Sequence, residues 1–278
     1  MAPAGRPTSI GQYLRARFPL ALIRCPDESH GIDILVAGCG TGQHSIDTAQ
    51  HYRGARVLAV DLSMASLCYA KHKTSGSRVV NIEYAQADIL ALGSIERMFD
   101  LVEASGVLHH LADPMLGWRV LLSRLRPQGF MKVGLYSELA RRDVVAARVF
   151  IAERGYRPTA PDIRRCRQEL MRCADGTPLK NVATGDFFTT SGCRDLLFHA
   201  QEQRFTLPDI GAFLAENDLT FLGFDLSGRV QLQYRARFPD DRSMTDLSLW
   251  HIFERENPAT FLGMYQFWIQ KTLQRASH

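Results

Sequence analysis

The sequence has no pair of cysteines at metal-ligating or redox spacing. Its six cysteines, Cys25, Cys39, Cys68, Cys166, Cys173 and Cys193, lie scattered through 278 residues. A disulfide framework and a zinc ribbon are not expected, and a reducing compartment, the cytoplasm, fits this usage. Nor is there an uninterrupted apolar run near the roughly 18 residues that a membrane helix requires. Near the amino terminus only Leu20 to Ile23 follow Pro19, with Arg6, Arg15 and Arg17 around them. That run is too short for a signal sequence, so a soluble, non-secreted protein is expected. A large excess of charge of one sign is lacking too. Lys and Arg number 33 against 29 Asp and Glu, and 46% of residues are hydrophobic, which excludes disorder as the main state and supplies a sizeable core. At roughly 150 residues per domain, the length accommodates one elaborated domain or two small ones.

What is present is an alternation of short apolar runs and amphipathic stretches. Ile32 to Ala37 reads IDILVA and ends in glycines, as a strand buried on both faces does. Gly38-Cys39-Gly40-Thr41-Gly42 then leads into a helical spacing from Gln43 to Tyr52. A second strand, Val57 to Val60, ends at Asp61, and Ser63 is placed as the N-cap of a helix through Met64, Leu67 and Cys68. Val79 to Tyr84 supplies a third strand with Asp88 just past it, and Phe99 to Ala104 a fourth. Asp113-Pro114 caps a helix bearing Leu116, Val120, Leu121 and Leu125, and Gln128-Gly129 turns into a fifth strand, Phe130 to Leu135. This alternation predicts a mostly parallel, doubly wound α/β sheet.

In such a sheet ligands bind outside the carboxyl ends of the strands, where the strand order reverses. The glycines permit a sharp turn and close approach of a ligand to backbone N–H groups at a helix start. Asp61 lies 21 residues after Gly40, where a carboxylate ending the second strand can accept two hydrogen bonds from a ribose diol. Asp88 can receive an adenine amino group. Together they outline an adenosine. The loop spacing is GxGxG, and the third position of a dinucleotide fingerprint is Gln43 rather than Gly or Ala, which disfavours a pyrophosphate.

The segments DILVAGCGTG, VLAVDLS, NIEYAQADIL, FDLVEASGVLHHLADP and LLSRLRPQGFMKVGLYS, in this order, resemble the motifs of class I S-adenosylmethionine-dependent methyltransferases over about 32 to 136. The later segments SELARRDVVAARVFIAERGY, CRDLLFHAQEQRFTLPDI and GMYQFWIQK further resemble the methyltransferase modules that follow tetratricopeptide repeats in many bacterial proteins, although no 34-residue helical repeat is visible here. The resemblance implies S-adenosyl-L-methionine as cofactor and S-adenosyl-L-homocysteine as product. It implies a glycine loop around the methionine moiety, the ribose at Asp61 with Leu62 beside it, the adenine at Asp88 and Ile89, and further cofactor contacts at Gly38, Cys39, Gly40, Gln43 and Ser105. It also implies a seven-stranded Rossmann-like sheet whose seventh strand is antiparallel.

From Ser137 to about Asn217 the strand pattern gives way to helical periodicity. The expected organisation is an amino-terminal flap over 1–30, a core over 31–136 and 218–278, and a helical lid over 137–217 inserted between strands five and six. Leu219 to Phe224 is the expected sixth strand and Met264 to Ile269 the seventh, with a helix over Ser243 to Asn257 between them. Arg141 to Lys180 holds 10 basic and 5 acidic residues, a net +5 against +4 for the chain. Such a lid reads as a solvated face or as steering for an anionic or proteinaceous acceptor. Nucleic acid is disfavoured, since the segment has only Phe150 and Tyr156 as aromatics.

A methyl on a sulfonium is already activated, so the acceptor must be held in line and, where needed, relieved of a proton. His109 is the candidate base at the switch point, with His110 beside it, or else a wall packed against the cofactor. Glu103 reads as a buried supporting carboxylate. Tyr136, Phe188, His199 and Arg204 are acceptor-binding candidates from the lid and its edge, with Asp186, Phe187 and Glu202 alongside. No metal site is expected, because His199 and Glu202 lack a third ligand at suitable spacing. Tyr13, Arg15 and Arg17 are expected to close over the cofactor carboxylate. Two other readings compete: a catalytically silent cofactor-binding assembly module, and a nicotinamide-dependent reductase.

Overall fold

Seven strands form one sheet in the order β3-β2-β1-β4-β5-β7-β6. The computed structural model describes residues 7–25, 30–199 and 201–272, without the Asp186 side chain, so 1–6 and 26–29 of the expected flap lie outside the described residues. The strands are β1 (Ile32–Ala37), β2 (Ala55–Asp61), β3 (Ile82–Gln86), β4 (Phe99–Ser105), β5 (Leu125–Leu135), β6 (Leu219–Phe224) and β7 (Tyr265–Lys271). The first five run parallel, and β7 pairs antiparallel with both β5 and β6. The chain winds outward from β1 to β3 and returns to β4 on the other side of β1. The reversal, and with it the binding crevice, falls between the carboxyl ends of β1 and β4.

Alternating side chains of each strand feed two cores. On one face α1 (Ile10–Arg17), α2 (Gln43–His51) and α3 (Met64–Ser75) cover Ile34, Val36, Ala59, Leu101, Phe130 and Trp268. On the other, α4 (Pro114–Ser123), α9 (Leu207–Glu216) and α11 (Leu247–Glu256) cover Leu35, Val102, Met131 and Phe267, with Trp118 stacked on Phe213 at 4.1 Å. Helix α10 (Gly228–Arg237) adds Tyr234, stacked on Trp250 at 3.7 Å. The insertion after β5 carries α5 (Arg142–Glu153), α6 (Ala160–Arg172), α7 (Pro178–Asn181) and α8 (Thr190–Leu197) around its own small core of Val144, Ile151, Ile163, Leu170, Phe187 and Leu197. Helix α9 lies within the expected lid boundary but packs into the main core through Leu207, Ile210, Phe213 and Leu214.

Several boundaries differ from expectation for local reasons. The third strand starts at Ile82 rather than Val79: Asn81 spends its side-chain amide on the Ala49 and Ala55 carbonyls, and Val80 stands 93% exposed at the sheet edge. Leu125 belongs to β5 rather than to α4, which ends at Ser123, and a register shift opposite Phe99 and Leu101 absorbs the Gln128-Gly129 turn. Helix α11 begins at Leu247 rather than Ser243 because Asp246 caps it through the amides of Ser248 and Leu249. Helix α10 has no counterpart in the sequence reading.

Candidate functional site

The turn after β1 is built by backbone. The amides of Gly38 and Cys39 both donate to the Val60 carbonyl at 2.9 Å, which folds the turn against β2. Gly38 has φ +72° and a Cβ there would meet Val107 at 2.5 Å, while Gly40, φ +51°, has nothing within 4 Å of where its Cβ would stand. The turn is thus closed against the loop after β4 at its first glycine and open at its second.

Asp61, at the end of β2, organises this opening. Its Oδ2 accepts from the Gly40 amide and its Oδ1 from the Ser63 amide, each at 2.8 Å. A carboxylate offers about four lone-pair directions, so both oxygens keep acceptor capacity toward the crevice. Asp88 ends the loop after β3 and caps the 3-10 turn 89–94 through the Leu90 amide at 2.9 Å. Between the two carboxylates lies a cavity of about 330 Å³ walled by Gly38, Leu62, Ile89, Val107, Leu111 and, from the lid, His199. Ser105, at the carboxyl end of β4, holds a buried hydroxyl with no hydrogen-bond partner among the described residues, a group that asks for a ligand or a water.

Two of the expected cofactor side chains turn elsewhere. Gln43 donates to Asp47 at 2.8 Å and accepts from Lys73 at 2.5 Å, which holds it on the outer surface of α2 and α3. Cys39 is buried in the core beneath the turn, and burial pushes its thiol up to about 11, so it is an unreactive apolar group.

His109 is fully buried and stacked on Tyr136 at 3.7 Å. Neither ring nitrogen has a hydrogen-bond partner of good geometry among the described residues. Burial, followed by the nearby His110 and Arg141, pushes its pKa down to about 3. The ring is neutral at physiological pH and a feeble proton acceptor. Arg141 covers the other face of Tyr136, its guanidinium carbon 3.8 Å from the ring centroid. Arg141 in turn pairs with the fully buried Glu202 carboxylate at 2.5 Å, and Arg148 reaches the same carboxylate at 3.5 Å. A continuous column, His109–Tyr136–Arg141–Glu202–Arg148, therefore joins the loop after β4 to the lid. Counting charge placed Arg141 and Arg148 on a solvated face. Their partner, Glu202, lies 61 residues from Arg141, a distance over which the sequence carries no pairing signal.

The return from the lid is an extended strap across both loops. The Gln203 amide donates to the His109 carbonyl and its side chain to the Ala112 carbonyl, both at 2.8 Å, and the Phe205 amide donates to Tyr136 at 2.9 Å. Ser137, where the chain leaves β5, is anchored to the buried Glu254 carboxyl at 2.5 Å, and Tyr265 donates to the other oxygen at 2.7 Å. Burial pushes the Glu254 carboxyl up.

Beside the column lies a trough in two parts that meet at Leu196. One, of about 540 Å³, runs between Leu139, Arg142, Asp143, Val182 and Leu262. The other, of about 320 Å³, lies between Tyr136, Thr189, Ser191 and Asp195. Of the expected acceptor residues, Tyr136 is on this trough. His199 instead walls the cavity between Asp61 and Asp88. Phe188 is 54% exposed and edge-on to Phe187, and Arg204 is exposed; neither lines any of these cavities. Phe188 ends the 3-10 turn 185–188 and its carbonyl is taken by Arg167, while Arg204 lies in the extended segment before Phe205. Tyr13 and Arg17 are likewise not over the glycine turn. Tyr13 packs against His51, Tyr52 and Trp268, and Arg17 pairs with Asp225. Glu103 is buried as expected, with Thr48 donating to it at 2.6 Å and His44 Nε2 standing 2.9 Å from the same carboxylate oxygen.

A family model described as "Methyltransferase domain" matches residues 34–129, the segment that builds this crevice. The dependence of such domains on S-adenosyl-L-methionine accords with an adenosine-sized cavity at its switch point. An uncharacterized protein of Synechococcus sp. is 28% identical over 238 residues, covering 80% of this chain and 56% of its own. A ubiquinone biosynthesis O-methyltransferase of Sinorhizobium fredii is 30% identical over 130 residues, 47% of this chain and 50% of its own. The chain thus spans about half the length of these relatives. Among solved structures, PKMT2 from Rickettsia typhi superposes on 94% of this chain and 52% of its own with a TM-score of 0.69 at 17% identity. Its complex with AdoHcy gives 0.68 at 18% identity over 95% of this chain and 54% of its own. That likeness extends the methyltransferase fold beyond the matched segment to the lid and to β7.

Proposed function

We propose that the chain transfers a methyl group from S-adenosyl-L-methionine to an acceptor seated in the trough between lid and core. The observation that carries this reading is the pair of strand-end carboxylates, Asp61 and Asp88, facing one cavity beside the open glycine. When bound, S-adenosyl-L-methionine supplies a sulfonium-activated methyl that an acceptor lone pair takes as the sulfur–carbon bond breaks toward sulfur. Asp61 is suited to accept from the ribose diol through the lone pairs left by Gly40 and Ser63, and Asp88 from the adenine amino group. The orphaned Ser105 hydroxyl supports a polar ligand atom at the end of β4.

The residues around the crevice favour an acceptor that needs little help losing its proton. His109 stays neutral and enclosed between Tyr136 and His110, which suits it to hold shape and exclude water rather than to move a proton. The trough joins apolar walls at Leu139, Leu196 and Leu262 to Arg142, Asp143 and Asp195, and its two parts are of a size that takes a small molecule or a protein side chain. Kinship with modules that follow tetratricopeptide repeats belongs to this reading, on the segments at 137–156, 193–210 and 263–271.

That no evident base faces the crevice among the described residues also fits a second reading, a cofactor-binding module without turnover. Calorimetry with S-adenosyl-L-homocysteine, paired with transfer of labelled methyl into fractionated cell extract, separates the two. Binding with transfer supports the enzyme, binding without transfer to any fraction supports the silent module, and NADH binding in place of S-adenosyl-L-homocysteine would restore the reductase.

A further inference from the structure

Two glycines meet where β4 and β5 end. Gly134 pairs with Ser105 in the parallel register, and the Gly106 amide donates to the Gly134 carbonyl at 3.2 Å. The space that their missing side chains leave is filled by Met264, the half-buried residue just before β7. A Cβ built on Gly134 would stand 2.7 Å from the Met264 sulfur, and one on Gly106 would stand 3.7 Å from the Met264 methyl carbon. The Ser105 Cα is 2.9 Å from the same point above Gly134, so the thioether lies beside the residue whose buried hydroxyl lacks a partner. Residues on each side wall a different cavity. Val107 walls the one between Asp61 and Asp88, Tyr136 one part of the trough, and Leu262 the other part.

We propose that Met264 is the wall against which the transferable group of the cofactor rests, so that its thioether sets how large that group can be. The inference rests on the reading that the cavity between Asp61 and Asp88 holds the adenosine of S-adenosyl-L-methionine and the trough its acceptor. Asp61 ends β2, Tyr136 follows β5, and β1 and β4 lie between them in the sheet. A sulfur that joins the ribose to an acceptor at Tyr136 therefore stands over the ends of β1 and β4, with its substituent directed toward β5. The backbone there is glycine at Gly38, Gly106 and Gly134, and Ser105 and Met264 supply the side chains. A thioether suits this place because it is unbranched and polarizable, carries no charge and donates no proton. A methyl fits beside it. One more methylene has to displace the thioether, because the Ser105 Cα and the Gly106 nitrogen already stand 2.9 Å and 3.1 Å from the point above Gly134.

The test is calorimetry of the full chain with S-adenosyl-L-homocysteine, S-adenosyl-L-methionine and the S-ethyl analogue of the latter, which differ only in the substituent on sulfur. The thermal midpoint serves as a control of folding. The wild type should bind the S-ethyl analogue about tenfold more weakly than S-adenosyl-L-methionine, the scale of one methylene in a closed pocket. Met264→Ala should shrink that gap to about twofold and leave the affinity for S-adenosyl-L-homocysteine within about twofold of the wild type. Met264→Leu, of similar volume, should keep the gap. A Met264 that only supports the fold would shift all three ligands together, so an equal loss for all three in Met264→Ala overturns the proposal. A wild type that binds the methyl and ethyl ligands alike, or a gap unchanged in Met264→Ala, overturns the wall and leaves the cofactor reading standing. If Met264→Ala is poorly folded, Met264→Val decides, and a gap as wide as that of the wild type overturns the wall. A wild type that binds none of the three overturns the cofactor reading, and the wall with it.

Discussion

The sheet and the lid hold themselves together by different means. The sheet buries two continuous cores, one on each face, with Trp118, Trp250, Trp268, Phe130 and Phe267 almost wholly enclosed. The lid gathers a few side chains from short helices around Phe187 and Ile163, and its tie to the sheet is polar: the strap, itself held to α5 by the Arg141–Glu202–Arg148 triad. Apolar burial is additive and tolerant, whereas a buried ion triad contributes only while every member is present. The crevice between Asp61 and Asp88 thus stands on a densely packed frame, while its cover is held by a few specific contacts.

The largest effects should come from breaking each core in turn. Trp118→Ala is expected to cost about 3–5 kcal/mol in global unfolding. Ile163→Ala, fully buried in the lid, should cost about 2–5 kcal/mol, read as faster amide exchange over α5 to α8 with the sheet still protected. Equal loss of protection in both regions would show a single cooperative unit and end the comparison. Next comes the tie. Glu202→Ala strands the Arg141 and Arg148 cations and is expected to cost about 3 kcal/mol, again confined to the lid in hydrogen exchange. An unchanged exchange pattern would show that the strap alone holds the cover.

At the crevice, Asp61→Ala should weaken S-adenosyl-L-homocysteine by about 1.5–3 kcal/mol in calorimetry, since it removes the ribose acceptor and the support of the Gly40 amide together. Asp88→Ala should cost less, about 1 kcal/mol, because Asp88 is exposed. An inverted order would move the ribose to the third strand.

The smallest effect is on pH. The Glu103 carboxylate holds the His44 pKa above its ordinary value against the opposing cost of burial, while burial raises the Glu103 carboxyl and His44 and Thr48 bring it below its ordinary value. The His44 contribution is present below its ordinary pKa and lost as pH rises through the raised one. The Glu103 contribution is present above its ordinary pKa and lost as pH falls through the lowered one. The thermal midpoint should therefore decline by a few degrees from pH 6 toward 8.5 in the wild type and less in His44→Gln. Identical slopes would mean that the pair adds nothing.

The same contrast governs what could be read from the sequence. Strands β1, β2 and β4 are legible because they are buried on both faces and end in residues with little other use, Gly38, Asp61 and Ser105. Strand β3 is displaced because an edge strand shows weaker burial, and α10 is missed because Tyr234 is its only fully buried residue. At the site, the two aspartates follow from position along the chain, but the Tyr136 column and the His110–His199 pair do not. They join residues from separate segments, 61 positions apart for Arg141 and Glu202 and more for His110 and His199, where neither periodicity nor spacing operates. Net charge misled in the same way, since the deepest arginines of the lid are those already neutralised.

The most direct test of the account is a crystal structure of the full chain with S-adenosyl-L-homocysteine. The ribose diol is expected at the Asp61 carboxylate, the adenine amino group at Asp88 and the His199 ring against the nucleoside. A nucleoside bound elsewhere, such as in the separate polar cavity between His44, Glu103 and Lys132, would contradict it.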